Sequence, residues 1–385
     1  MLSASPVHDS LDAFVDATPV QRDRYVDLLR VASIGVVVLW HWVFSISHWQ
    51  GGRLTMPNPI GDVPLLWAAT WVLQVMPVFF FVGGYANGAS WEAVRREDAD
   101  WTTFARRRLS RLYRPVAAFI VVWAGFELVA HLVWPAYPGV VHYGMVVFVP
   151  LWFLGVYTGI TLLTPLTHRV HERWHFGGIA VLAATILAGE FCRLQLGMAA
   201  WALPGSALVW VFAHQLGYFY RDGTLERLGR RGQTAVAAGG LGALAVMTTW
   251  GPYSHSMVAV RGEATSNMLP TSACIAALAV FQVGLAMLIR PAASRWLARR
   301  RVWRRVVTAN AVAMTVFLWH MTAVLIVIGL AKLAGFPLAT QPTARWWLER
   351  PIWLIAPGLV LAVAIAAFSP FELPKTGAQT SRPPA

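Results

Sequence analysis

The sequence contains few of the residues on which soluble and disulfide-bonded proteins depend. Of its 385 residues only 13% are charged and only two are cysteines, Cys192 and Cys274, whereas 57% are hydrophobic. Two cysteines are too few for a disulfide framework or for a cysteine-based metal site. A chain this apolar and this poor in charge is also unlike a set of soluble domains. The composition therefore predicts a membrane protein.

Long apolar runs separated by arginine-rich segments recur along the whole chain. A helix needs about 20 mostly apolar residues to cross the roughly 30 Å of hydrocarbon in a bilayer. We predict an all-α membrane protein, a ten-span transmembrane helical bundle at 24–370, with a cytosolic N-terminal tail at 1–23 and a disordered cytosolic tail at 371–385. The predicted spans are 29–48, 64–86, 115–134, 144–166, 177–193, 201–220, 234–250, 270–290, 308–332 and 351–368.

The net charge of +13 is explained by where the arginines lie, so we predict no nucleic-acid partner. If the N-terminus is cytosolic, 25 of the 31 basic residues fall in segments on the cytosolic side. The positive-inside rule then predicts that both termini are cytosolic. We expect a multi-pass protein of the cell membrane, in contact with membrane lipids. The excess of 29 arginines over two lysines favours a bacterial source.

Two ionisable residues lie inside the first predicted span, in the stretch LLRVASIGVVVLWHWVF (28–44). Arg30 and His41 are eleven residues apart, which is three helical turns plus about 20°, so both side chains lie on one helix face roughly 16 Å apart. Such groups are costly in lipid and typically face a polar cavity or a partner. The structural alternatives are a snorkelling anchor at Arg30 and a hydrogen bond between helices at His41.

A third ionisable residue, His320, lies inside the ninth predicted span. His41 and His320 are each twelve residues into spans that run in the same direction, so both are expected about 18 Å from the cytosolic side. Two imidazoles at one depth are expected to line one cavity, with His320 orienting an acceptor or stabilising an oxyanion. Simple packing of His320 is the alternative.

The segment HRVHERWH (168–175) places three histidines on one helical face. This spacing is compatible with a zinc site. Arg169 and Arg173 alternate with the histidines and would repel a cation, so we predict no metal.

Four segments carry a resemblance to a known family: VDLLRVASIGVVVLWHW (26–42), PVFFFVGGYANG (77–88), RRRLSRLYRP (106–115) and LWFLGVYTGITLLTP (151–165). The first is similar to the opening of the acyltransferase-3 family of integral membrane acyltransferases, in which Asp-x-Leu-Arg is followed by ten residues and then His. The second is similar to that family's FF-x-x-SGF segment, with Gly83 in place of Ser. The fourth has Tyr157, Thr158 and Gly159 where many polysaccharide-modifying members have Glu-Glu-Gln.

This resemblance implies transfer of an acyl group, commonly acetyl, from cytosolic acyl-coenzyme A to a hydroxyl of a glycan, a lipid or a secondary metabolite. Coenzyme A carries its phosphates and its thioester at opposite ends of a long arm, which fits a cationic mouth with a base deeper inside. His41 would be the general base, and an acyl-histidine intermediate is the alternative. Arg30, oriented by Asp27, would bind the donor's phosphate or adenylate end.

An arginine cluster precedes the third predicted span. Arg107, Arg111 and Arg114 follow i, i+4, i+7 spacing, and Arg108 precedes Arg111 by three residues, so one helix face is expected to be cationic and to attract the donor's phosphates. The alternative for each arginine is that it only fixes the orientation of the helix in the membrane. For the whole protein the alternative function is a secondary transporter, in which Arg30 and His41 form an anion site and a proton relay.

Overall fold

The computed structural model describes residues 22–50, 53–139, 142, 145–149, 151–263 and 265–372. It is 77% helical, which confirms the prediction of an all-α membrane fold. The predicted tails at 1–23 and 371–385 lie almost entirely outside the described residues.

The helices are numbered here in chain order. They are α1 (Arg24–Val43), α2 (Leu66–Leu73), α3 (Met76–Arg96), α4 (Trp101–Val133), α5 (Met145–Phe148), α6 (Leu151–Leu162), α7 (Thr164–Trp174), α8 (Phe176–Gln195), α9 (Ala202–Arg221), α10 (Thr224–Arg227), α11 (Gly229–Trp250), α12 (Ala273–Leu297), α13 (Arg300–Ala311), α14 (Ala313–Leu333), α15 (Ala344–Leu348) and α16 (Arg350–Phe368). Two short strands between α1 and α2, β1 (His48–Gln50) and β2 (Arg53–Thr55), form an antiparallel pair. Short 3-10 turns occupy Ala199–Trp201 and Ser369–Phe371.

Within the described ranges, seven helices are long and apolar enough to cross a membrane, or eight if one bent pair counts as a single span. The bent pair joins Val146–Leu162 to Thr164–Trp174 at an angle of 55°. α9 and α11 occupy the predicted sixth and seventh spans but are not among these helices. α9 carries buried polar side chains, and α11 contains five glycines together with polar residues such as Gln233 and Thr248, which explains their weaker apolar character. A multi-pass membrane fold is therefore confirmed, and the count of ten spans stays a prediction.

The N-terminus of α1 is fixed by its cap and by its contacts with neighbouring helices. The Asp23 carboxylate accepts hydrogen bonds from the backbone amides of Tyr25 and Val26, which is how an aspartate caps a helix. The hydroxyl of Tyr25 donates to the carbonyl of Ala286 on α12. The start of the helix that carries Arg30 and His41 is therefore held in one position.

Helices α3 and α9 cross at a point where both contribute glycine. A Cβ on Gly84 would overlap the backbone carbonyl of His214, and a Cβ on Gly217 would overlap the backbone of α3 at Phe81 and Tyr85. Only glycine leaves room for two helix backbones to approach this closely. The crossing brings α9 against the FF-x-x-SGF-like segment and so fixes one wall of the cavity described below.

Candidate functional site

The two mid-span histidines meet. His41 on α1 and His320 on α14 are joined by a hydrogen bond of 2.9 Å between His41 Nδ1 and His320 Nε2. Their rings are nearly parallel, at an interplanar angle of 18°. The indole Nε1 of Trp42 donates to the backbone carbonyl of His320 at 3.0 Å, which ties α1 to α14 at the same level. The structure thus brings together two residues that the sequence places at equal depth.

The hydrogen bonds of the pair determine which nitrogen carries each proton. The backbone carbonyl of Phe317, which can only accept, lies 2.6 Å from His320 Nδ1, so this nitrogen must carry the proton. In a neutral imidazole the other nitrogen is then an acceptor, so His320 Nε2 accepts from His41 Nδ1–H. His41 Nε2 is left with a lone pair. Because both nitrogens of His320 are engaged, the expectation that it contacts an acceptor or an oxyanion directly is not supported by this geometry.

Arg30 lies in a polar cluster at the other end of α1. Its NH1 group donates to Asp27 Oδ1 at 2.8 Å and to Asn310 Oδ1 at 3.3 Å. Asp27 is buried, and its second carboxylate oxygen accepts from Arg22. The amide nitrogen of Asn310 donates back to the backbone carbonyl of Asp27 at 3.1 Å. The predicted Asp27–Arg30 contact is present, and α13 adds an asparagine that holds the guanidinium in place.

A large cavity opens at this end of α1, and we call it the arginine cavity. It has a volume of about 710 Å³ and its lining includes six arginines and three acidic residues. The ionisable residues of the lining are Arg22, Arg30, Arg96, Arg108, Arg111, Arg221, Asp23, Asp27 and Glu372. A partly enclosed cavity with this excess of positive charge attracts anions.

Only two members of the predicted arginine cluster line the arginine cavity. Arg108 and Arg111 face it from α4, whereas Arg107 is exposed and pairs with Glu97 at 2.8 Å. Arg114 is also exposed and lies outside the lining. The expected donor-binding role of Arg107 and Arg114 therefore has no cavity contact to support it, because at about 100° per residue both side chains lie further round the helix from Arg108 than Arg111 does.

A network of polar side chains holds Arg108. Its guanidinium donates to Asn87 Oδ1 at 2.5 Å and to the hydroxyl of Tyr157 at 3.3 Å. The Asn87 amide donates to Thr161 at 3.1 Å and lies 3.0 Å from His214 Nε2. The sequence analysis did not identify Asn87 as a site residue, although it lies in the family-like segment at 77–88, and named Tyr157 only as a departure from the family pattern. A buried asparagine in an apolar helix was the signal that could have identified it.

A second cavity lies beside His41, and we call it the aromatic cavity. It has a volume of about 320 Å³, and its lining is mainly apolar and aromatic. Trp40, His41, Trp152 and Phe153 line it together with amide side chains such as Gln74. Phe153 lines both cavities, whereas Arg30 lines the arginine cavity and not the aromatic one, and His41 lines the aromatic cavity and not the arginine one. The buried ring of Phe153 thus separates the cationic space from the space beside the histidine pair.

Comparison with known proteins gives a family match. A family model described as an acyltransferase domain, that of the acyltransferase-3 family, matches residues 23–369, which is nearly the whole chain. Searches of curated proteins and of solved structures found no match. The matched region contains the histidine pair, Arg30, the lining of the aromatic cavity and that of the arginine cavity except Arg22 and Glu372.

Proposed function

Because the chain belongs to the acyltransferase-3 family of membrane acyltransferases, we propose that it transfers an acyl group, commonly acetyl, from cytosolic acyl-coenzyme A to a hydroxyl. The acceptor is a glycan, a lipid or a secondary metabolite. The family match supports acyl transfer over the secondary transporter that the sequence left open.

In the proposed orientation the arginine cavity opens to the cytosol. The distribution of basic residues in the sequence supports this orientation, with ten spans, both termini cytosolic and the protein in the cell membrane. The donor's phosphates bind the cavity's arginines, chiefly Arg30, Arg108 and Arg111. Guanidinium groups suit this role because they stay charged and can form two parallel hydrogen bonds to a phosphate. The thioester arm then extends past Phe153 toward His41.

The chemical step uses the free lone pair of His41 Nε2. The acceptor hydroxyl gives its proton to this nitrogen while its oxygen attacks the thioester carbonyl carbon. When the resulting tetrahedral intermediate collapses, the carbon–sulfur bond breaks. The sulfur takes the proton from the His41 imidazolium, and coenzyme A leaves as a thiol. The products are the acyl ester and free coenzyme A, and His41 returns to its neutral form.

His320 is a positioning residue in this scheme. Its Nε2 accepts from His41 Nδ1–H, so the other nitrogen of His41, Nε2, stays free on a residue that lines the aromatic cavity. The same bond stabilises the imidazolium that forms when His41 takes a proton, as the orienting residue of a catalytic triad does. Attack by His41 Nε2 itself, giving an acyl-histidine, uses the same lone pair and stays as the alternative route.

The hydrogen-bond chain from Phe317 through His320 to His41 is the observation that carries this proposal. The test is coenzyme A release by purified protein given acetyl-coenzyme A and a cell-envelope extract as the acceptor source. We expect His41→Ala to reduce turnover by at least about 100-fold, the usual contribution of a general base, while donor binding persists. His131→Ala, at an exposed histidine on α4, is the control. Normal turnover in a folded His41→Ala protein would refute the mechanism.

A further inference from the structure

A second group of histidines lies where α7 meets α8. His171 Nε2 and His175 Nε2 are 2.9 Å and 3.1 Å from the same atom, Oδ2 of Asp222 at the end of α9. The three candidate ligand atoms all lie within 4.8 Å of one another. The third histidine of the segment, His168, is not part of the group, because its ring nitrogens lie near Glu92 and Glu172.

The arginines of this segment do not face the histidine group. Arg169 and Arg173 are exposed, whereas His171 is buried. Two residues along a helix correspond to a rotation of about 200°, so both arginines lie on the opposite side of α7 from His171. The prediction that these arginines repel a cation is therefore not supported, because their alternation with the histidines along the chain does not place them on the same helix face as His171.

The backbone at His175 is held in an unusual conformation. Its φ of 41° lies in the left-handed region, which a residue other than glycine rarely occupies. α7 ends and α8 begins at this conformation, which directs the imidazole of His175 toward Asp222. Conformations of this kind cost free energy and persist where the surroundings require them, often at functional sites.

The neighbouring residues fix the direction of all three candidate ligands. The backbone amide of Thr224 donates to Asp222 Oδ1 at 2.8 Å, which leaves Oδ2 directed at the imidazoles. The ring of Phe219 packs against both imidazoles, with centroid distances of 4.6 Å to His171 and 4.8 Å to His175. The three side chains are therefore aligned before any ligand binds.

We infer that His171, His175 and Asp222 bind a divalent transition-metal ion of the zinc class. Two imidazole nitrogens and one carboxylate oxygen are a usual ligand set for zinc. Zinc–ligand distances of about 2.0–2.1 Å imply distances of about 3.3 Å between the ligand atoms of a tetrahedral site. The observed separations of 2.9 Å and 3.1 Å need to open only slightly to reach this value.

Such an ion would join the junction of α7 and α8 to the end of α9. The Asp222 side chain is about one-third exposed, which leaves room for a water molecule as the fourth ligand. We assign the ion no part in acyl transfer, so the site and the proposed catalytic function can be tested separately.

The test is zinc binding to the full-length protein in detergent after treatment with a chelator. We expect one zinc ion per chain, and at least a tenfold loss of affinity in His171→Ala and Asp222→Asn. An asparagine at 222 can still accept a hydrogen bond but is a weaker ligand than a carboxylate, so this variant separates hydrogen bonding from metal binding. His168→Ala, at a histidine that is equally buried on the same helix, is the matched control and should bind zinc normally.

A fourth variant, His175→Gly, keeps the test valid if an alanine variant fails to fold. Glycine adopts a φ of 41° without strain, so this variant should be as thermally stable as the metal-free wild type. Zinc should raise the unfolding temperature of the wild type and of His168→Ala but not that of His175→Gly. No stoichiometric zinc in the wild type, or equal binding by all variants, would overturn the inference and leave a cluster joined only by hydrogen bonds.

Discussion

Replacing His320 by alanine is the substitution that most directly tests the histidine pair. It removes the acceptor of the His41 Nδ1–H bond and leaves that half-buried group without its partner. An unsatisfied buried donor costs about 1–3 kcal/mol. His41 relieves this cost by rotating or by moving its proton to Nε2. Either change removes the lone pair of Nε2 from the place where the acceptor hydroxyl binds.

The expected loss of activity follows from this change of state. A general base contributes about 10²–10⁴-fold to a rate, and each factor of ten corresponds to about 1.4 kcal/mol. If the productive state of His41 becomes less stable by about 1–3 kcal/mol, turnover should fall by roughly 5- to 150-fold. Donor affinity should be little changed, because His320 lines neither cavity.

The assay is again coenzyme A release, with donor affinity measured separately. His320→Gln gives a matched variant, because a glutamine amide oxygen can replace the imidazole nitrogen as acceptor, and we expect it to recover part of the lost activity. The double variant with His41→Ala should be hardly slower than His41→Ala alone, because residues that act as one unit are not additive. Normal turnover in a correctly inserted His320→Ala protein would refute the reasoning.

Two further predictions concern the cavities. Changing Arg108 and Arg111 to Glu should weaken acyl-coenzyme A binding by at least tenfold, measured as the KM for the donor. The control Arg107→Glu should change this KM little, because that side chain lies outside the lining of the arginine cavity. Equal effects would show that only long-range charge matters. Phe153→Ala should join the two cavities and raise coenzyme A release in the absence of an acceptor, because water gains access to the thioester. Phe80→Ala, an equally buried ring that lines neither cavity, controls for loss of packing, and an equal rise in that variant would contradict the explanation.

Part of the site could be predicted because it depends on helix geometry alone. The 100° rotation and 1.5 Å rise per residue place Arg30 and His41 on one face and put His41 and His320 at one depth. The direction of the hydrogen bonds in the pair could not be predicted, since it depends on the carbonyl of Phe317 and on the rotation of α14 about its own axis. Neither quantity is encoded in local spacing.

The arginine cluster shows where helix geometry alone is insufficient. Arg107 and Arg108 are neighbours in sequence and differ by one step of rotation, but the first pairs with Glu97 and the second lines the arginine cavity. A helical wheel predicts which residues share a face and does not predict which face packs against the bundle. The contribution of Asn310 from α13 could not be predicted either, because it requires the position of a helix 280 residues further along the chain.

The two departures from the family pattern, Gly83 and Tyr157, are distant in sequence but lie in contact with each other. A Cβ on Gly83 would lie 2.7 Å from the ring of Tyr157, so a serine at position 83 and a tyrosine at position 157 cannot both be accommodated without a shift. Gly83 therefore makes room for the ring of Tyr157. Tyr157 occupies the position at which a Glu-Glu-Gln run begins in many polysaccharide-modifying members of the family. Both hydrogen-bond acceptors of Arg108, Asn87 and Tyr157, are uncharged, whereas a glutamate at position 157 would pair with the guanidinium. The positive charge of Arg108 thus stays available to an anionic ligand in the arginine cavity, which is the property that binding of a phosphorylated acyl donor requires.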